Sequence, residues 1–224
     1  MHPSALIVQR PTEAAAQLIL LFHGVGSDAR SLLPLGQRLA AAFPQAMVVS
    51  VTAPNPSDIS PQGFQWFSVA GITEENRVDR VAAALPSFEA CVAYWRAQAG
   101  VGAAATALVG FSQGAIMALA SSVRPDPVAA RIIAIGGRFA SLPQSPLHEG
   151  TTVHLLHGKA DTVMPYSHAV HAAHRLKDLG ADFTADVLPF IGHEVHPDLI
   201  ELAVEKLKSH IPARLWIKPE EEKK

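Results

Sequence analysis

The run Ala107-Leu108-Val109-Gly110-Phe111-Ser112-Gln113-Gly114-Ala115-Ile116-Met117-Ala118 constrains this chain more than any other stretch. An apolar segment of strand character ends in Gly-x-Ser-x-Gly, and a small-residue segment of helical character starts directly after it. The pattern predicts a strand, a sharp turn carrying Ser112, and a helix. Gly110 and Gly114 remove side chains that would collide as the helix folds back over the strand. Such a turn pushes the Ser112 Oγ out at the top of a sheet, where a neighbouring base can make it a nucleophile. Gln113 opens the helix, so its backbone N–H lacks a partner inside it and lies at the positive end of the dipole, suited to receive an oxyanion.

Residues 18 to 23, Leu-Ile-Leu-Leu-Phe-His, form an uninterrupted apolar run, as expected of a strand buried on both faces of a parallel sheet. The loop His23-Gly24-Val25-Gly26-Ser27-Asp28 follows it and precedes a helical pattern from Ser31 to Phe43, which puts the loop at the carboxyl edge of the sheet. The Val25 N–H is therefore a candidate second oxyanion donor, the bland alternative being a plain turn. A second strand, Ala46 to Val51, runs into a proline-rich loop expected to lack regular structure. Phe64, Trp66 and Phe67 follow it. Large apolar side chains on a loop can cap a core, but a loop of this length beside Val25 can also wall an acyl pocket, and the expectation is that these three residues line it. Thr73 then caps a helix that ends at Gly100 and Gly102.

Further strands are predicted at Arg131–Ile135, Thr152–His157 and Phe183–Leu188. Asp161 lies in the short loop after the second of these, placed to hold a histidine ring, although N-capping the next helix is the competing role. Two histidines compete in the loop after the last strand. His196 immediately precedes Pro197 and a helical pattern, which suits a cap; His193 follows Gly192 in open loop and is the better base.

Composition excludes several other functions. At 224 residues one domain is expected, spanning 1–217, with the charged stretch 218–224 a mobile tail. A formal net charge of −2 without basic blocks offers no nucleic-acid surface. Cys91 is the only cysteine, so neither an internal disulfide nor a cysteine-based metal cluster can form. His193 and His196 are three apart in a loop where a zinc-protease helix needs four, so neither metal nor other cofactor is expected. With no leader pattern and no apolar run of spanning length, the reading is a cytoplasmic protein that acts on a small molecule; whether it forms a homodimer stays open.

Ser112, Asp161 and His193, each in a loop after a strand, occur in the chain order nucleophile, acid, base. Together with His23-Gly24-Val25-Gly26, Gly110-Phe111-Ser112-Gln113-Gly114-Ala115, His157-Gly158-Lys159-Ala160-Asp161 and Gly192-His193, this resembles the α/β-hydrolase superfamily. Within it the chain is similar to the phospholipase/carboxylesterase family, which also holds the acyl-protein thioesterases; Gln65-Trp66-Phe67-Ser68-Val69 and residues 105–119 resemble the bacterial YpfH-type esterases. The resemblance implies a mostly parallel central sheet with helices on both faces. It also implies hydrolysis of short- to medium-chain esters, or thioesters, through an acyl-serine: Ser112 the nucleophile, His193 the base and then acid, Asp161 the orienting carboxylate, Val25 and Gln113 the oxyanion donors. The different-class alternative is a non-catalytic member binding acyl ligands or a partner protein. Two departures argue against depalmitoylation of proteins. Ser68 stands where the thioesterases carry aspartate, and Arg138, expected here to contact substrate, stands where they favour an aromatic residue.

Overall fold

The apolar run at residues 18–22 becomes the centre of a three-layer fold because its side chains alternate between two cores. Leu18, Leu20 and Phe22 face one cluster and Ile19 and Leu21 the other, all of them buried. A fully buried side chain of this size contributes about 1.5–3 kcal/mol, so a strand with none of its apolar side chains in water must lie inside a sheet covered on both faces.

The computed structural model describes residues 4–212; the charged stretch 218–224 lies outside them. The described strands are β1 (Ala5–Gln9), β2 (Gln17–Phe22), β3 (Ala46–Val51), β4 (Asn55–Pro56), β5 (Phe64–Gln65), β6 (Thr106–Phe111), β7 (Arg131–Ile135), β8 (Thr152–Gly158) and β9 (Asp182–Leu188). Five α-helices accompany them: α1 (Leu33–Ala42), α2 (Glu74–Ala99), α3 (Gln113–Ser122), α4 (Ser167–Asp178) and α5 (Pro197–Ser209). The main sheet runs β1-β3-β2-β6-β7-β8-β9, parallel throughout except for β1, which pairs antiparallel with β3. Leu35 and Leu39 of α1 and Leu199 and Ala203 of α5 close one face. Phe88 and Val92 of α2, Met117 of α3 and Leu176 of α4 close the other.

The long helix α2 begins as the sequence predicts. Thr73 and Asn76 form a reciprocal cap, the Asn76 N–H donating to Thr73 Oγ1 and the Thr73 N–H to Asn76 Oδ1. Pro86 is accommodated without a break, and Gly100, at φ 70°, ends the helix in the left-handed conformation that a side chain resists. Cys91 faces the core from this helix, and burial pushes its thiol up to about 12.

Two elements differ from the sequence expectation. The edge strand β1 is absent from the sequence expectation: its apolar run, Ala5-Leu6-Ile7-Val8, is only four residues long and partly exposed, too short for periodicity to separate strand from other structure. The loop after β3 contains a small antiparallel ribbon, Asn55 opposite Gln65 and Pro56 opposite Phe64. Proline fits there because the ribbon is two residues long and needs no interior ladder donor.

Chain progression reverses between β2 and β6: the strands before the reversal continue through β3 to β1, those after it through β7 to β9. The loops after β2 and β6 therefore open a crevice at the carboxyl edge, where sheets of this type place their sites.

Candidate active site

Ser112 joins β6 to α3 at φ 52° and ψ −116°, a conformation that L-residues adopt at a strain cost of about 1–3 kcal/mol. The turn is held open by close backbone packing. A Cβ on Gly114 would lie 2.1 Å from the Phe22 carbonyl oxygen, and one on Gly110 would lie 2.4 Å from the Ala115 nitrogen. The Ser112 N–H donates to the Ile135 carbonyl at 3.0 Å, which fixes the turn against β7.

From this position the Ser112 Oγ lies 2.9 Å from His193 Nε2, and His193 Nδ1 lies 2.7 Å from Asp161 Oδ2. A carboxylate only accepts, so Nδ1 carries the ring hydrogen and Nε2 is left as the acceptor for the serine hydroxyl. The Phe111 ring, 4.9 Å from the imidazole between centroids, backs His193 from the strand before the turn. Asp161 is buried and divides its oxygens. Oδ2 faces His193, while Oδ1 accepts from the Val163 N–H at 2.9 Å and the Met164 N–H at 2.7 Å. The competing role of Asp161, capping the turn before α4, is thus filled by its other oxygen. His196 takes the cap position of α5, its Nδ1 accepting from the Asp198 N–H at 3.2 Å.

Two buried histidines, to which the sequence alone assigns no role, brace these loops. The Ala53 N–H donates to His23 Nε2 at 3.0 Å, so His23 Nδ1 is protonated and donates to the Gly24 carbonyl at 2.7 Å. His157 Nε2 donates to the Met164 carbonyl at 2.6 Å and lies 3.3 Å from Asp161 Oδ2. Burial lowers the pKa of both rings against the raising effect of these bonds, which favours neutral imidazoles. The signal available in sequence was a histidine at the end of a buried strand, directly before a glycine loop.

The loop after β2 passes close to Ser112: a Cβ on Gly24 would come 3.1 Å from Ser112 Cβ. Its backbone bonds run through the neighbours of Val25. The Gly26 N–H donates to the Phe64 carbonyl at 3.0 Å and the Phe64 N–H to the Ser27 carbonyl at 2.8 Å. Among the described residues the Val25 N–H is outside this pattern, and the Gln113 N–H opens α3.

The expected substrate wall is corrected in part. Trp66 is 2 % exposed and packs edge-on against Phe88 at 5.0 Å and Phe22 at 5.9 Å; Phe67 belongs to the same core. Their side chains turn inward because that removes large apolar surfaces from water. Phe64 alone of the three is partly exposed, beside the Gly26 loop. Trp66→Ala is accordingly expected to lower stability by about 3–4 kcal/mol and to leave relative acyl-chain preference unchanged. Denaturant unfolding and a chain-length series check this; a shifted optimum at unchanged stability would return the indole to the pocket. Arg138 is also committed elsewhere. Its guanidinium makes two bonds to Glu74, at 3.0 and 2.7 Å, tying the loop after β7 to the start of α2 rather than presenting a charge to substrate.

The loop carrying Ile59 is anchored by Asp58, whose Oδ2 accepts from Ser68 Oγ at 2.6 Å, the Val69 N–H at 2.8 Å and the Ala70 N–H at 3.1 Å. These bonds, the Ser68 hydroxyl first, hold its carboxyl down at about 2. A depressed folded-state pKa means the anchor is fully present above the ordinary value of 3.8 and is lost as pH falls toward about 2. Protection of the Val69 and Ala70 amides against hydrogen exchange, relative to the intrinsic rate at each pH, is expected to fall across that window, and in Asp58→Asn already at neutral pH. Unchanged protection in the variant would remove the anchor role.

Comparison with known proteins places this geometry in a family. The sequence pattern of the Phospholipase/Carboxylesterase family matches residues 3–211. The chain is 47% identical over 213 residues to Esterase YpfH of Escherichia coli (strain K12), covering 95% of this chain and 90% of that protein. The crystal structure of esterase PE8 superposes with a TM-score of 0.82 at 32% identity, over 94% of this chain and 99% of that one. The Bacillus cereus carboxylesterase shares the fold at a TM-score of 0.73 and 17% identity, over 91% of this chain and 92% of that one. With a parallel sheet that reverses progression beside a serine turn, and a family pattern matched along nearly its whole length, the chain belongs to the phospholipase/carboxylesterase family of α/β-hydrolases.

Proposed function

We propose that this protein is a serine carboxylesterase that hydrolyses short- to medium-chain acyl esters through an acyl-serine. The observation that carries the reading is the continuous hydrogen-bonded chain from Asp161 Oδ2 through His193 to Ser112 Oγ, at 2.7 and 2.9 Å, ending on a serine held at φ 52°.

In this reading His193 Nε2 takes the Ser112 proton as Oγ attacks the ester carbonyl. The imidazolium that forms is stabilised by the buried Asp161 carboxylate, which stays ionised. The carbonyl oxygen becomes an oxyanion directed at the N–H groups of Val25 and Gln113. His193 then returns the proton to the leaving alcohol, and the bond from acyl carbon to alcohol oxygen breaks. Water, deprotonated by the same ring, releases the acid and restores Ser112. Thioesters pass through the same steps with a thiol leaving group. Ile59 and Phe64 border the loop that carries Val25 and in this reading offer apolar contact to the acyl chain.

The test is covalent labelling by a fluorophosphonate probe, with an ester and thioester panel run on wild type and Ser112→Ala. Labelling of one serine per chain and its loss in the variant support the reading. A wild type that neither labels nor turns over any ester would overturn it.

A further inference from the structure

The Gln113 side chain has no part in the chemistry above, which uses only its backbone N–H. Yet the carboxamide is buried and satisfied at both ends by one short segment: the Trp66 N–H donates to Gln113 Oε1 at 2.7 Å, and Gln113 Nε2 donates to the Phe67 carbonyl at 2.8 Å. Both acceptor and donor are used, so the orientation of the amide is set by its partners. The same segment continues back to Phe64, whose N–H and carbonyl bond to Ser27 and Gly26 on the loop that carries Val25. At Gly63 the approach is so close that a Cβ would lie 2.2 Å from the Gly26 carbonyl oxygen, leaving little freedom between the two strands of backbone. Residues 63–67 therefore form a strap with one end on the residue that follows the nucleophile and the other on the loop after β2.

We propose that the Gln113 carboxamide is a positioning group that, through this strap, sets the separation of the Gln113 and Val25 N–H donors. The inference rests on the esterase reading and deepens it. A donor pair is effective only when both hydrogens reach the place where negative charge develops, so loosening the strap weakens transition-state binding more than ground-state binding. Every substitution at 113 other than proline keeps the backbone N–H, so the side chain can be tested apart from the donor.

The experiment compares wild type with Gln113→Met, which keeps length and loses both bonds. It measures kcat and KM on a p-nitrophenyl ester and the Ki of an alkyl trifluoromethyl ketone, whose adduct with Ser112 bears an oxyanion. Expected are a fall in kcat of roughly 10- to 100-fold, KM within about twofold, and a Ki weakened by the same factor as kcat/KM. Should the methionine variant fail to fold, Gln113→Asn carries the test: it keeps a neutral amide one methylene too short to bond Trp66 and Phe67 together, and should show the same matched loss at smaller size. A kcat within about threefold of wild type in the folded variant, or a kcat loss without a matching loss of ketone affinity, would overturn the proposal. Ser112→Ala in the same assay separates the two readings: if it retains full turnover the esterase mechanism itself fails, whereas an inactive Ser112→Ala beside a normal Gln113→Met refutes only the strap.

Discussion

Ser112→Ala and His193→Ala are each expected to lower kcat by roughly 10⁴- to 10⁶-fold, and the double variant should fall little further. In the proposed mechanism serine and histidine act as one unit: without the imidazole the hydroxyl has no acceptor for its proton, and without the hydroxyl the imidazole has nothing to activate. Neither change should unfold the protein, because both side chains sit at the ends of loops braced by other groups, the turn by the Ser112 N–H bond to Ile135 and the histidine loop by the Ala160 N–H bond to Ile191. His196→Ala is the control. It removes only a bond at the start of α5 and should cost about 1 kcal/mol of stability with activity retained. Steady-state kinetics on a short-chain ester decide the matter, and an active His193→Ala beside an inactive His196→Ala would overturn the choice of base.

The second large effect is expected at Gly114. Alanine there brings its Cβ to 2.1 Å from the Phe22 carbonyl oxygen and 2.8 Å from Phe22 Cβ, a collision with the backbone of a buried strand rather than with a movable side-chain tip. Relief requires α3 to lift from β2, which separates the core on that face. A destabilisation beyond about 5 kcal/mol is expected, at the exceptional end for one methyl group, with a Tm drop of at least about 10 °C or failure to accumulate. Thermal melting of Gly114→Ala against wild type measures it; a loss under about 1 kcal/mol would mean that the strand and helix can separate locally at little cost.

The parallel sheet was legible because β2, β3, β6, β7 and β8 are buried on both faces, so their sequences are predominantly apolar, broken by Ser50 in β3 and by His154 and His157 in β8. The edge strand β1 was harder to see: half in water, it carries an apolar run of only four residues, Ala5 to Val8, which does not by itself distinguish a strand. At the site, Ser112, Asp161 and His193 could be singled out because their chemistry demands particular residue types in particular loops. The fates of Trp66 and Arg138 could not. Whether an indole on a loop faces substrate or core depends on Phe22 and Phe88, and whether a guanidinium is free depends on Glu74, all brought near only by the fold. The Gln113 carboxamide was missed because the backbone of the same residue already accounted for its place in the motif.

The two oxygens of Asp161 serve different neighbours, and this bears on what the position can tolerate. One oxygen organises a backbone turn and the other aims an imidazole, and both tasks need a lone pair. Asparagine has the same shape but only one oxygen, so its NH2 must point either at the Val163 and Met164 N–H groups or at His193. In the first orientation, donor faces donor inside a buried turn; in the second, the ring is driven to the opposite tautomer and its Nε2 hydrogen confronts the Ser112 hydroxyl. The aspartate is thus specified twice, once by architecture and once by proton bookkeeping, and relaxing either demand alone would not free the position to vary.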